Sequence, residues 1–202
     1  DVSQRKGLAD LLKIKNLKKP SPVASKYYIH RLKQCVIDPS ILPKEYLPES
    51  SLNSLLDLSK AFLVEVIDLF GIHDLAEKLK SIVDKTKLRA IYKCLTPVKL
   101  KFLEFILRQT EKIPLSEIDL IHWDGNPEKL LNNLHKRGLV RFSRAISQES
   151  TDFIWHLTHK LDTGRADFIE KTMQLPVTDD VVRLLKNQLF SIVNLINHKR
   201  ES

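Results

Sequence analysis

"PLSEIDLIHWDGNPEKLLNNLHKRGLVRFSRAI", residues 114–146, admits two folds. In one it is a helix, a turn, a second helix closed by Gly138, and a wing strand over "GLVRFSRAI". In the other it belongs to a bundle of helices. Asn126 and Pro127 give a helix start, because a capping side chain followed by proline at the first helical position suits that end. Gly138 suits the end, since glycine most easily takes the left-handed conformation that closes a helix. Residues 129–144 hold Lys129, Lys136, Arg137, Arg141 and Arg144 and no acid. A recognition helix presents such residues to phosphates and base edges. The same cations also suit a helix C-terminus, where they complement the dipole. A winged-helix nucleic-acid binder using 129–144 is therefore one expectation, and a helical protein-binding body is the other.

The flanking chain favours helices. From Ser51 the apolar set Leu52, Leu55, Leu56, Phe62, Leu63, Val66, Ile67 and Phe70 keeps helical spacing up to Gly71. Its wide apolar stripe marks a central helix. "DLAEKLKSIVD" and "KTKLRAIYKCL" read as two shorter helices. "TPVKLKFLEFILRQ" starts on Thr96 as N-cap with Pro97 next. Residues 150–161 and 165–175 read as helices: Phe153, Ile154, Leu157 and Leu161 fit helical spacing better than alternation through Phe153, Trp155 and Leu157. A last helix begins after Thr178, with Asp179 and Asp180 favourable at its N-terminus. The expected fold class is mainly α, an irregular bundle of about eight helices with at most one small β-hairpin around 139–157.

At the other end lies "VIDPSILPKEYLP", residues 36–48. Pro39, Pro43 and Pro48 exclude a continuous helix. The interleaved Ile37, Ile41, Leu42, Tyr46 and Leu47 predict an ordered strap packed on the body, or an exposed docking surface. Before it, a short helix over 8–17, the linker "KKPSPVAS" and a helix over 26–36 are expected. The domain reading is a basic arm, 1–25, and one helical domain, 26–202.

Charge is uneven. Residues 1–36 hold nine Lys/Arg against Asp1 and Asp10, while the rest holds 24 against 23 Asp/Glu. An arm of that kind suits an acidic partner or membrane surface, or a solvated lead segment. The apolar runs are too short to span a membrane. Cys35 and Cys94 are the two cysteines, read as buried thiols.

Reaction chemistry finds little footing. Five glycines in 202 residues provide no phosphate loop or dinucleotide fingerprint. His156 and His159 share a helix face, but a zinc site needs three or four ligands. His122 stands beside Asp124 with no nucleophile elbow following. No catalytic, metal-binding or cofactor-binding residue is expected, and no cofactor.

"IDPSILP" at 37–43, the leucine-rich block 52–107 and "FIWHLTHKLDTGRADFIEKTMQLP" at 153–176 together resemble the SctK family of bacterial type III secretion systems. Asp38 stands where many members carry His. The resemblance covers most of residues 27–176. It implies a non-catalytic cytoplasmic adaptor of the sorting platform, at the cytoplasmic face of the inner membrane and peripheral to it. The implied partners are an SctQ-like pod protein and an SctD-like inner-membrane ring protein, with no small-molecule substrate. The partner-binding candidates are Lys136, Arg137, Arg141 and Arg144, meeting an acidic face, together with Pro39, Leu42 and Pro43 of the proline segment.

Overall fold

A computed structural model of the chain describes residues 21–22, 41–108, 113, 120 and 122–201. The chain divides into two units, Asp1–Pro43 and Lys44–Ser202. The expected boundary between 25 and 26 lies outside the described residues, as do the helices expected over 8–17 and 26–36, Cys35 and Pro39. Lys44–Ser202 is helical, with no strand among the described residues. Its α-helices are α1 (Lys60–Leu79), α2 (Lys85–Cys94), α3 (Pro97–Leu107), α4 (Pro127–Ile146), α5 (Thr151–Thr158), α6 (Thr163–Met173) and α7 (Asp179–Glu201).

Capping chemistry sets most of the starts. Ser59, Asp84, Thr96, Asn126, Ser150 and Asp162 each stand at an N-cap in extended backbone. Each accepts a hydrogen bond from a backbone N–H of the first turn. That satisfies donors a helix leaves open and contributes about 1 kcal/mol per cap. Thr96 with Pro97 and Asn126 with Pro127 stand where the sequence puts them. The helix expected from Ser51 starts later. Asn53–Asp57 is a short 3-10 turn, and α1 begins only after the Ser59 cap. Lys160 holds that turn, its Nζ donating to the carbonyls of Leu56 and Leu58.

Two glycines change the topology. The sequence reading ends one helix at Gly71 and another at Gly138. Both helices run through instead, α1 to Leu79 and α4 to Ile146. "DLAEKLKSIVD" is thus mostly the end of α1, not a helix of its own. "GLVRFSRAI" is the second half of α4, not a wing strand. Among the described residues only Gly125 has positive φ, at 86°. Gly71 and Gly138 are instead where two backbones touch. A Cβ on Gly71 would sit 2.1 Å from the Leu134 carbonyl oxygen, and one on Gly138 would sit 1.8 Å from that of Ile67. No side chain fits either gap.

α1 is the central element, as its wide stripe predicts. Leu69 through Ala76 are buried without interruption, two turns enclosed on every side. α4, α3 and α7 pack against it, and α6 and α7 also pack on α4. Phe70, Phe142 and Phe153 are the largest enclosed side chains. Fully burying an apolar side chain of this class stabilises by roughly 1.5–3 kcal/mol. Val182, Leu185, Leu189, Ile192, Val193 and Ile196 form the inner stripe of α7.

Most of the described residues of the proline segment are exposed. Residues 37–40 lie outside the described residues. Leu42 is exposed, Lys44–Tyr46 is one 3-10 turn, and Tyr46 is 74% exposed. Ile41 is half-buried, and Leu47 packs against the core. Cys94 is half-buried and its thiol donates to the Ala90 carbonyl at 3.2 Å.

Candidate functional site

The α1–α4 crossing carries a repeated polar pattern. On α1, Asp68, Gly71 and Asp74 fall three residues apart; on α4, His135, Gly138 and Arg141 do the same. Three-residue steps keep side chains near one helix face. The pairs meet in the same order, Asp68 with His135 and Asp74 with Arg141, so the helices cross in the parallel sense. Close backbone contact at the glycines brings each polar pair within hydrogen-bond reach.

One tie is enclosed. Arg141 is 2% exposed, and its Nε donates to Asp74 Oδ1 at 2.7 Å. Nη1 donates to Gln188 Oε1 on α7 at 3.0 Å, and the guanidinium lies 5.9 Å from the Phe70 ring centroid. Arg137 Nε donates to the other Asp74 oxygen at 2.8 Å. Burial pushes the Arg141 guanidinium down, and the Asp74 carboxylate opposes this. A paired, hydrogen-bonded charge of this kind holds helices in register rather than adding much net stability.

The second tie is half-buried and crosses four helices. Lys99 Nζ on α3 donates to Asp68 Oδ2 at 2.8 Å, and His135 Nδ1 lies 2.6 Å from Asp68 Oδ1. Arg165 Nε on α6 donates to His135 Nε2 at 2.9 Å, and Arg165 also pairs with Asp162. A guanidinium only donates, so His135 Nε2 accepts and the imidazole proton sits on Nδ1, facing Asp68. Burial pushes the Asp68 carboxyl up, but hydrogen bonds from His135 and Lys99 outweigh this and hold it below its ordinary value. An Asp–His pair is the start of a relay to a nucleophile. Here the outward nitrogen is already occupied by Arg165, so the pair fastens helices.

His73 is a separate feature. It is buried between the rings of Phe70 and Phe102, with centroids at 5.8 Å and 5.5 Å, both edge-on. Its Nε2 has no hydrogen-bond partner among the described residues. Burial, reinforced by the Arg141 charge, pushes the imidazole down to about 3.

The partner candidates scatter. Arg141 is inside, bound to Asp74, and cannot present its charge to a partner. Arg137 is mostly covered and shares Asp74. Arg144 is half-buried, and its Nε is buried without a hydrogen-bond partner among the described residues. Lys136 is exposed, as are Leu42 and Pro43. The basic run 129–144 is therefore divided between the interior and the surface. A continuous helix turns its cations to several faces, whereas a helix ended at Gly138 would have left Arg141 and Arg144 free.

A different surface is more coherent. Asn187, Phe190, Ser191, Asn194 and Leu195 are all exposed and lie at i, i+3, i+4, i+7 and i+8 on α7. That spacing is a helical stripe, uncharged, with two large apolar side chains, on the side away from the buried one. The usual apolar periodicity search finds only the inner stripe, because Asn and Ser dilute the outer one.

Among the described residues, no three His, Cys, Asp or Glu side chains gather closely enough to hold a metal ion. His156 and His159 both lie against Trp155, His159 stacked at 3.8 Å between centroids. No helix among the described residues is long and apolar enough to cross a membrane. No protein-family model matches the chain, no curated protein is significantly similar to it, and no solved structure matches it.

Proposed function

We propose that the chain is a non-catalytic adaptor of a bacterial type III secretion system, joining an SctQ-like pod protein to an SctD-like inner-membrane ring protein. The reading rests on the resemblance to the SctK family in residues 27–176. The structural observation that supports it is the second stripe of α7. A helix that packs one face into the core and offers Phe190 and Leu195 on another suits docking of a partner protein. The internal polar groups support it too, since Asp68, Asp74, His135 and Arg141 fasten α1 to α4, as a rigid spacer requires. The nucleic-acid alternative drew on a wing strand and a solvent-facing basic helix. Residues 139–146 are helical and Arg141 is buried, so no observation favours it over the adaptor.

The test is co-purification of the chain with each partner type, before and after Phe190→Asp plus Leu195→Asp. Both residues are 45% exposed on the outer face of α7, and retention of the fold is checked by helical circular dichroism. The expected result is loss of one partner with the other retained, because an adaptor uses separate faces. Retention of both partners would remove α7 from the interface. Failure of the unaltered chain to retain either partner would end the adaptor reading.

A further inference from the structure

Residues 78–108 hold nine Lys/Arg against Asp84 and Glu104. Lys85, Arg89 and Lys93 on α2 are exposed and fall at i, i+4 and i+8. They form a stripe about 12 Å long at 1.5 Å per residue, on the face opposite the buried Ile91. None of the three has an ion pair or hydrogen bond among the described residues, in contrast to Lys99 and Lys129, which are paired. Two residues before Lys85, at the tip of the α1–α2 turn, Val83 is 91% exposed.

Folding does not account for either feature. An apolar residue just before an N-cap commonly packs on the fourth helical residue, here Leu88. Val83 instead stands in solvent. Lys85 follows the Asp84 cap directly, with no acid in the first turn itself, where a cation opposes the helix dipole. These choices cost stability, and an external ligand would recover it. That ligand must meet an apolar tip and a row of cations together. Single-strand binding relies on aromatic stacking, which a valine does not supply. A bilayer interface takes both, with the apolar group entering the acyl boundary and the ammonium groups at the headgroups.

We infer that Val83 with the Lys85–Arg89–Lys93 stripe is a docking face for an anionic lipid surface. Val83 inserts, and the three cations hold the headgroups. The inference does not depend on the adaptor reading, and no secretion partner enters its test.

The test uses the full chain and flotation with vesicles of phosphatidylcholine alone or mixed with phosphatidylglycerol. Binding is expected to the mixed vesicles only, and to weaken as salt rises. Each cation near such a surface contributes about fivefold in affinity, so Lys85→Gln, Arg89→Gln and Lys93→Gln together should weaken binding about 10²-fold. The basic segment 1–36 is unchanged in that variant, so an undiminished affinity would place the whole effect there and overturn the proposal. Val83→Ser should cost about tenfold. Val83→Trp should show a blue-shifted emission increment over the unaltered chain on mixed vesicles. No shift means no insertion, and the proposal fails. Duplex DNA is the counter-probe: binding as tight as to vesicles and indifferent to Val83→Ser would make the face a nucleic-acid site instead.

Discussion

Gly138 shows how one absent atom sets a helix crossing. In an isolated helix, exchanging glycine for alanine gains up to about 1 kcal/mol. At this position the new Cβ would lie 1.8 Å from a backbone oxygen of α1. A backbone carbonyl cannot rotate away as a side chain can, so α1 and α4 would have to separate. Separation would loosen the Asp68–His135 and Asp74–Arg141 contacts on either side, and overpacking of this kind costs about 1–3 kcal/mol or more. Packing wins over propensity. Gly138→Ala should therefore lower the urea midpoint, with a net loss of about 2 kcal/mol. Gly164→Ala is the control. Its nearest neighbour would be Asp162 Oδ1 at 3.6 Å, an ordinary contact, so it should be neutral or stabilising by a few tenths to about 1 kcal/mol. Equal midpoints for the two variants would mean the crossing is not as tight as described.

Between elements, the enclosed Asp74–Arg141–Gln188 tie makes α1, α4 and α7 one body. Removing one member of a buried pair leaves a charge without compensation and costs about 3–5 kcal/mol, whereas replacing both by apolar residues is often near neutral. Arg141→Met and Asp74→Leu should each destabilise by that amount, and the double variant should recover part of the loss, the remainder being Arg137 left without its carboxylate. A double variant no better than the sum of the singles would show that the two charges are not compensating one another. Charge reversal at Arg141 would for the same reason unfold the chain before it probed any partner. This is also where the sequence is hardest to read. The starts of α3 and α4 were legible, because Thr96–Pro97 and Asn126–Pro127 act locally, whereas the Ser59 start of α1 was not. Helix ends were not, because glycine closes a helix in one context and admits a neighbouring backbone in another, and only the partner helix decides which. The spacing of Asp68, Gly71 and Asp74 against His135, Gly138 and Arg141 carries the signal, but it is visible only when two distant segments are laid side by side. Reading Gly138 as an end also made Arg141 a surface residue. The outer stripe of α7 was missed for the simpler reason that two of its five residues are asparagine and one is serine.

Across the whole molecule, the groups with displaced protonation act in the same direction. His73 is held to about 3 against an ordinary 6.5. Between those values the unfolded chain binds a proton there and the folded chain does not. Stability from keeping His73 neutral is therefore complete above pH 6.5 and is lost as pH falls through that window, with a limiting slope of about 1.4 kcal/mol per pH unit. Asp68 is held below 3.8, so its contribution is complete above that value and is lost only below it. A protein whose acid lability came from carboxylates alone would keep constant stability down to about pH 4–5. This chain should begin to weaken near pH 6.5. His73→Phe tests the assignment, since the ring sits between Phe70 and Phe102 and its Nε2 has no hydrogen-bond partner among the described residues to lose. Urea unfolding at steps from pH 7.5 to 4.5 should give a falling free energy for the unaltered chain and a much flatter one for the variant. If both lines fall in parallel, some other group titrates and the aromatic cage around His73 is not what makes the fold sensitive to acid.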